Sequence, residues 1–186
     1  MEELERIRIK KVLGPTHTGT AVLLGNDEKT FVMFIGRYEG AAIIRELNGE
    51  RPARPLTHEL MAYVLDGFNI EIKKIVITDL IDNTFCATLV LEQKVPGEDG
   101  KWAGKRNEVR IDARPSDCLV LALKEKRPIY CTRRVLDKVR DVSEEVSMVG
   151  SGFSVEKGDE EGPSFTTPDF LNQSWDEPEL PFEEDD

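Results

Sequence analysis

Three short stretches of this chain collect side chains that could bind phosphate, move a proton or hold a metal ion. Two of the stretches lie where a helix is predicted to begin, and the third lies in a turn between two strands. Their members are Arg54, Thr57, His58 and Glu59; Asp112, Arg114, Ser116 and Asp117; and Asp79, Asp82 and Asn83. An arginine beside the unpaired amides of a helix N-terminus can bind an anion such as phosphate.

Metal-assisted hydrolysis of a phosphodiester needs a phosphate clamp, a metal-activated water and a proton shuttle. Mg²⁺ and Mn²⁺ take oxygen ligands, which Glu39, Asp82 and Asp117 could supply. His58 is one of only two histidines, and histidine titrates in the range that suits a general acid or base. The catalytic candidates are therefore His58, Asp82 and Asp117. The candidates for binding phosphate are Arg54, Thr57, Arg114 and Ser116, with Asn83 and Asp112 in support.

Each candidate also has a purely structural explanation. Thr57, Ser116 and Asp117 are typical caps of helix N-termini. Asp82 and Asn83 are typical turn residues, because their side chains stabilise turns and tolerate a left-handed backbone. The sequence contains no HExxH, P-loop, GxSxG or paired DxD motif. The chemistry of the residues alone therefore leaves the activity open.

Apolar periodicity predicts the elements that must position these residues. Strands are predicted at 6–12, 21–24, 31–35, 70–77, 84–91, 109–111 and 128–131, and helices at 38–47, 57–67, 112–126 and 133–147. The second and third strands are expected to form a hairpin. In the second helix, Thr57 is the expected N-cap, and Leu60, Tyr63 and Val64 the expected inner stripe. This mixture of elements predicts an α+β domain.

The charge is unevenly distributed along the chain. The stretch 151–186 holds twelve acidic residues and one lysine, which accounts for the whole formal net charge of −11 and leaves residues 1–150 neutral. A neutral body does not imply strong non-specific affinity for DNA. We expect one domain over residues 1–148 and a disordered acidic tail over 149–186, because the tail has no apolar periodicity. Apolar islands within 165–186 leave open whether the tail only solubilises the protein or docks onto a protein partner.

Two further features bear on the compartment. The N-terminus is acidic and has no apolar signal segment, and no run of about 18 apolar residues is present, so a cytoplasmic protein without a membrane span is expected. The three cysteines, Cys86, Cys118 and Cys131, have no CxxC spacing. They are interpreted as small buried apolar residues in a reducing compartment.

Four motifs in order resemble the bifunctional nuclease domain family, named for reported activity on DNA and RNA. They are Phe34–Gly40, Arg54–Leu60, Asp82–Phe85 and Asp112–Asp117, and the resemblance covers residues 6–145. It implies a bent mixed, largely antiparallel sheet with three to four packed helices in a single domain. It also implies a homodimer or larger oligomer, and a polar cleft. The residues that match the cleft are Glu39, Arg54, His58, Asp82, Asn83, Arg114, Ser116 and Asp117. Cys86 and Cys118 depart from the family pattern, where an aromatic residue and an alanine are expected.

Two hypotheses follow. In the first, the protein is a divalent-metal-dependent nuclease acting on DNA and RNA: His58 is the general acid or base, Asp82 and Asp117 bind metal with Glu39, and Arg54 and Arg114 clamp phosphate. In the second, the domain is a non-enzymatic regulatory module. Its helix N-termini bind a phosphorylated ligand, and its acidic tail docks onto a protein partner.

Overall fold

The structure is a computed structural model that describes residues 3–15, 19–96 and 102–149. The elements in chain order are β1 (Leu4–Leu13), β2 (Thr20–Gly25), β3 (Thr30–Ile35), α1 (Arg37–Leu47), α2 (Thr57–Gly67), β4 (Ile70–Ile81), β5 (Thr84–Pro96), β6 (Trp102–Ala113), α3 (Pro115–Lys124), β7 (Ile129–Thr132), α4 (Arg133–Lys138) and α5 (Ser143–Val149). From residue 150 onward, the predicted disordered tail, with its expected docking segment 165–186, lies outside the described residues.

The seven strands form one sheet in the order β3-β2-β1-β7-β4-β5-β6. Every neighbouring pair is antiparallel except β4 and β7, which run parallel. This architecture confirms the predicted α+β fold with a mixed, largely antiparallel sheet. The described residues contain five helices, one more than the largest number predicted.

The two hairpins follow from local turn chemistry. The predicted pairing of β2 with β3 is confirmed, with Gly25 opposite Thr30 at its end. β4 and β5 are joined by a two-residue turn in which Asp82 and Asn83 have φ of 46° and 59°. Both residues are therefore left-handed, a conformation that aspartate and asparagine tolerate better than most residues. The turn interpretation of this pair is confirmed.

Helices α1, α3 and α4 share one continuous apolar core with the sheet. Its fully buried side chains include Ile75 and Ile77 of β4 and Leu119 of α3. The inner positions predicted for α3 are confirmed, since Leu119 and Ala122 are buried and Leu123 packs against the core. The first turn of α3 therefore projects from a firmly anchored helix.

The prediction for the inner face of α2 is wrong. Leu60, Tyr63 and Val64 are 57%, 62% and 48% exposed, and the buried residues of α2 are Glu59 and Ala62. The helix contacts the rest of the domain through Glu59, Ala62 and Leu65 instead, so the predicted apolar stripe faces outward. The N-cap prediction is also off by one residue, since Leu56 is the N-cap and Thr57 the first helical residue.

The last predicted helix is broken into two short helices. Val139 leaves α4 with an extended backbone, and the amide of Val142 donates to the carbonyl of Thr30 at 2.8 Å. The carboxylate of Asp141 accepts from the amides of Thr30 at 3.1 Å and Ser143 at 3.0 Å. These hydrogen bonds to the start of β3 compete with the helical ones.

Residues 1–143 form one compact unit with the whole sheet and α1–α4, and residues 144–186 form a second. The predicted domain boundary after residue 148 stays a prediction. Within the described ranges, no helix is long and apolar enough to cross a membrane.

The contact between α1 and β2 depends on a glycine. A Cβ atom added to Gly40 would collide with the hydroxyl, Cβ and methyl group of Thr20, a residue that is 2% exposed. Rotating the threonine side chain cannot relieve the clash, because its own Cβ is one of the colliding atoms. Gly40 therefore sets the distance of α1, and of the residues in its first turn, from the sheet.

We expect Gly40→Ala to destabilise the fold by about 1–3 kcal/mol, because overpacking outweighs the higher helix propensity of alanine. The thermal unfolding midpoint should fall by several degrees in calorimetry. Gly67→Ala is the matched control, since nothing lies within 4 Å of its added Cβ. An unchanged midpoint for Gly40→Ala would contradict the proposed contact.

Candidate active site

The first turns of three helices meet at one polar cluster. Glu39 is the third residue of α1, His58 the second residue of α2 and Asp117 the third residue of α3. Arg114 is the N-cap of α3. We call these four residues the helix-start cluster. Because the cluster lies at the N-terminus of each helix, each helix directs the positive end of its dipole toward it. The three helices have ten or eleven residues each.

Direct hydrogen bonds connect all four side chains. His58 Nε2 lies 3.0 Å from Asp117 Oδ1. Arg114 donates from Nε to Asp117 Oδ2 at 2.9 Å and from Nη1 to Glu39 Oε1 at 3.0 Å. A longer contact, 3.4 Å, joins Arg114 Nη2 to Asp117 Oδ1. The chain of contacts therefore runs from His58 through Asp117 and Arg114 to Glu39.

Local sequence explains why the cluster residues sit at helix starts. Pro115 suits the first position of α3, where no amide hydrogen is needed, and it keeps Arg114 extended at φ −63° and ψ 136°. At α1, the carboxylate of Glu39 folds back over Gly36, where an added Cβ would collide with it. Gly36 therefore leaves room for the conformation in which Glu39 reaches Arg114.

The ion pairs keep Asp117 ionised. Burial raises the pKa of Asp117, but hydrogen bonds from Arg114 and His58 outweigh burial, so the pKa lies below its ordinary value. The hydrogen bond to Asp117 is the main cause that raises the pKa of Arg114, with a further contribution from Glu39. The cluster therefore contains an ionised carboxylate against a permanently charged guanidinium.

One ring nitrogen of His58, Nε2, contacts Asp117, and the other, Nδ1, has no hydrogen bond to a described residue. Because the ionised Asp117 accepts at Nε2, that nitrogen carries the proton in the neutral ring and Nδ1 is the basic nitrogen. The His58 side chain is 19% exposed, so the ring is held but reaches solvent. A histidine oriented by a carboxylate is the usual arrangement of a general base.

A second ion cluster fixes the helices that carry the first. Lys124 Nζ lies 2.7 Å from Glu46 Oε1 of α1 and 3.1 Å from Glu59 Oε1 of α2. Glu59 Oε2 also accepts from the amide of Leu56, which closes the start of α2. Burial raises the pKa of Glu59, but the Lys124 and backbone hydrogen bonds lower it overall. We call Lys124, Glu46 and Glu59 the helix clamp.

The predicted phosphate-binding residues are only partly brought together. Arg114 is central, whereas Arg54 lies exposed in the loop before α2 without a hydrogen bond or ion pair to another described residue. Thr57 is exposed at the start of α2, and Ser116 is 6% exposed in the first turn of α3. The supporting residue Asp112 is exposed on β6, opposite Thr88.

The predicted strand-turn cluster is not part of the site as the contacts define it. Asp79 pairs with Lys138 at 2.8 Å and Arg134 at 3.5 Å, and the hydrogen bond from Lys138 is the main cause that lowers its pKa. Asp82 and Asn83 form the exposed hairpin tip. Within the described ranges, no hydrogen bond or ion pair joins either tip residue to the helix-start cluster.

The donor set limits how a metal ion could bind. Among the described residues, no group of three or more histidines, cysteines and carboxylates is placed to hold a metal ion. Glu39 and Asp117 are close to the same guanidinium, so at most two carboxylates are available there. This pair fits Mg²⁺ or Mn²⁺ only if substrate phosphates and water supply the remaining ligands, as is common for Mg²⁺.

Sequence reasoning missed Tyr38 and Arg37, which lie beside Glu39 in the first turn of α1. Tyr38 is 77% exposed, and the Arg37 guanidinium lies 5.1 Å from its ring centroid. The sequence did contain a signal for Tyr38. It is an aromatic residue at a predicted helix start, where a side chain tends to be exposed, and it lies within the motif Phe34–Gly40. Cys118 and Cys131 are buried as expected, and burial raises the pKa of each thiol to about 12, which disfavours the reactive thiolate. Cys86 is only partly buried, so the expectation of burial is wrong for that residue.

Comparison with known proteins gives the family. Residues 22–144 match the family described as the bifunctional nuclease domain. Two uncharacterized proteins of Mycobacterium tuberculosis, MT1877 of strain CDC 1551 and Rv1829 of strain H37Rv, are each 32% identical to this chain over 111 residues. That match covers 60% of this chain and 59% of each relative, so the chain spans less than two thirds of their length. The chain belongs to the bifunctional nuclease domain family.

Proposed function

We propose that the protein is a nuclease that hydrolyses phosphodiester bonds of DNA and RNA at the helix-start cluster. The observation that carries the proposal is the continuous contact from His58 through Asp117 to Arg114 at three converging helix N-termini. Membership of the bifunctional nuclease domain family supports the same reaction class.

Arg114 is suited to bind the scissile phosphate. A guanidinium has five N–H donors, and three of them are engaged with Asp117 and Glu39, which leaves two. The Arg114 side chain is 67% exposed, so those donors can reach a ligand. Because both carboxylates fix the guanidinium plane, little side-chain freedom is lost on binding. The helix dipoles add positive potential for an anion.

His58 is suited to move the proton. Its Nδ1 would accept a proton from the attacking water while Asp117 stabilises the imidazolium that forms. A general acid or base contributes on the order of 10²–10⁴ to a rate. In this proposal Asp117 orients and stabilises His58 in addition to the metal-ligand role expected from sequence.

Metal dependence is part of the proposal, with Glu39 and Asp117 as the protein ligands of Mg²⁺ or Mn²⁺. When bound, the ion would neutralise charge on the phosphate and lower the pKa of a bound water. Asp82 was also predicted as a ligand, and its place at the hairpin tip makes it the residue that tests whether a third carboxylate takes part.

The alternative is a regulatory module that binds a phosphorylated ligand without cleaving it. It is favoured by the scarcity of metal ligands among the described residues, since phosphate binding by Arg114 and the helix N-termini requires no metal. Docking of the segment 165–186 onto a protein partner belongs to this alternative and concerns residues outside the described ranges.

We expect His58→Ala to lower the rate of cleavage of labelled single-stranded DNA and RNA by a factor of about 10²–10⁴, because the proton acceptor is lost. His17→Ala, which removes the other histidine, is the matched control and should cleave at the wild-type rate. Cleavage would be followed on denaturing gels with separately purified protein preparations. Equal cleavage rates for wild type and His58→Ala would exclude His58 as the general base. If the wild type binds the strands but does not cleave them, the regulatory module is favoured.

We expect cleavage to require Mg²⁺ or Mn²⁺ and to stop in EDTA. Glu39→Gln should raise the metal concentration that gives half-maximal rate about tenfold or more, since one of two protein carboxylates is neutralised. Asp82→Asn should leave that concentration unchanged if the hairpin tip does not bind the ion. Full activity in EDTA would remove the metal from the proposal, and a larger effect of Asp82→Asn would restore the three-carboxylate site.

A homo-oligomer is proposed on the evidence of α2. The outer face of this helix and its flanks carries six large apolar side chains that are 43–66% exposed. They are Leu56, Leu60, Met61, Tyr63, Val64 and Phe68, and together they are called the α2 face. The only charged residue of α2 outside the two ion clusters is Asp66, so two copies related by a twofold axis would meet without opposing like charges over most of the contact.

The size of the α2 face fits an interface between two copies. At about 200 Å² for each aromatic side chain and somewhat less for each aliphatic one, the exposed fractions amount to about 600 Å² per copy. Two copies in contact would therefore bury about 1,200 Å², the lower end of the range for specific interfaces. A patch of this size is at the upper limit for a monomer surface.

We expect the full chain to sediment as a dimer at micromolar concentration, and Leu60→Asp to weaken the dimer about 100-fold or more, because the charge would be buried without a partner. Ile81→Asp is the matched control, since Ile81 is 53% exposed at the end of β4 and outside the α2 face. A wild-type monomer at all concentrations, or equal effects of the two variants in sedimentation equilibrium, would contradict the assignment.

A further inference from the structure

Tyr38 presents an aromatic ring to solvent directly beside the helix-start cluster. The side chain is 77% exposed, the most exposed of the large apolar and aromatic side chains in the described part of the chain. Tyr38 is the second residue of α1, and the next residue, Glu39, is bonded to Arg114. Consecutive Cα atoms are about 3.8 Å apart, so the backbone of Tyr38 directly adjoins the residue that contacts Arg114.

One face of the ring is already occupied by a cation. The Arg37 guanidinium lies 5.1 Å from the ring centroid, within the range of a cation–π contact. Arg37 is itself exposed, so the pair forms a layered surface at the helix start rather than part of the core. The high exposure of Tyr38 leaves the other face of the ring free for a second planar group.

The charge of the domain explains why such a surface would matter. Residues 1–150 are formally neutral, so the body offers no strong general attraction to a polyanion. Contacts to the bases would add affinity that the net charge of the body does not supply. Stacking of a base on an aromatic side chain is such a contact, and it tolerates every base because each has a π-face.

We propose that Tyr38, backed by Arg37, is a stacking platform for one unpaired base next to the phosphate bound by Arg114, so that the site selects single-stranded nucleic acid. The inference rests on the proposed nuclease function and names the substrate class of the same site. In a duplex, each base is paired and stacked on its neighbours, and it reaches a side chain only after it has been unstacked. A single strand can present a base without that cost.

The test measures equilibrium binding of fluorescent 12-nucleotide strands to the full-length protein, by anisotropy in EDTA to prevent cleavage. Three ligands are compared: oligothymidylate, a strand of the same length built from abasic sites, and a duplex. The protein variants are wild type, Tyr38→Ala, Tyr38→Phe and Arg114→Ala. Tyr38→Phe is the matched control, because it keeps the ring and loses only the hydroxyl group.

We expect Tyr38→Ala to bind oligothymidylate about tenfold more weakly, which corresponds to about 1.4 kcal/mol, and to bind the abasic strand as wild type does. Tyr38→Phe should bind both strands as wild type does. Arg114→Ala should weaken both strands alike, because the phosphate contact is common to them. Wild type should prefer oligothymidylate to the duplex.

Wild-type behaviour of Tyr38→Ala toward oligothymidylate would overturn the platform and leave the proposed nuclease site intact. Equal losses for the abasic strand and oligothymidylate would also overturn it, since the loss would then not involve the base. Failure of wild type to bind any of the three ligands would also overturn the platform, whereas the nuclease proposal is decided separately by the cleavage assays with Mg²⁺ or Mn²⁺. The same variants' thermal midpoints exclude misfolding as the cause of a loss.

Discussion

The arrangement of the helices depends on one ammonium group that is shared between two carboxylates. Lys124, the last residue of α3, contacts Glu46 of α1 and Glu59 of α2, and all three side chains are less than one-fifth exposed. A charged group that is largely removed from water is stable only when an oppositely charged partner compensates for the lost hydration. Removing one of the three side chains would therefore leave a charge without its partner. The clamp thereby fixes α1 and α2 on α3 and sets the rotation of α2, because Glu59 lies in its first turn.

That rotation has two consequences on opposite sides of the same helix. On the inner side, it directs His58 toward Asp117, a residue 59 positions later in the chain. On the outer side, it turns Leu60, Tyr63 and Val64 to solvent. An apolar stripe left in water contributes nothing to the stability of a lone domain, since no apolar area is buried. The rotation of α2 therefore determines both the geometry of the cluster and the exposure of the α2 face. It links the proposed site to the proposed interface between copies.

The sequence predicted the elements well where the pattern is local. Alternation placed the strands, and the paired turn formers Asp82 and Asn83 closed a hairpin. The helix predicted from residue 112 begins at Pro115, three residues later. It failed for α2, because periodicity identifies an apolar stripe but not whether this domain or another surface covers it. Arg54 and Arg114 looked equivalent in sequence, yet only Arg114 joins the cluster. Packing between distant segments brings the three helix starts together, and no spacing along the chain predicts that they meet.

The balance of charge in the cluster bears on what the site can recognise. Arg114 is the one cation between Glu39 and Asp117, so the four residues carry a net negative charge while His58 is neutral. Long-range attraction of a polyanion therefore cannot come from these side chains. Phosphate must instead be recognised at short range, by the two remaining Arg114 donors and the helix-start amides. Short-range donors act on any phosphate that reaches them, so discrimination among phosphate-bearing ligands falls to neighbouring groups that contact the rest of the ligand, and Tyr38 is placed to be one of these.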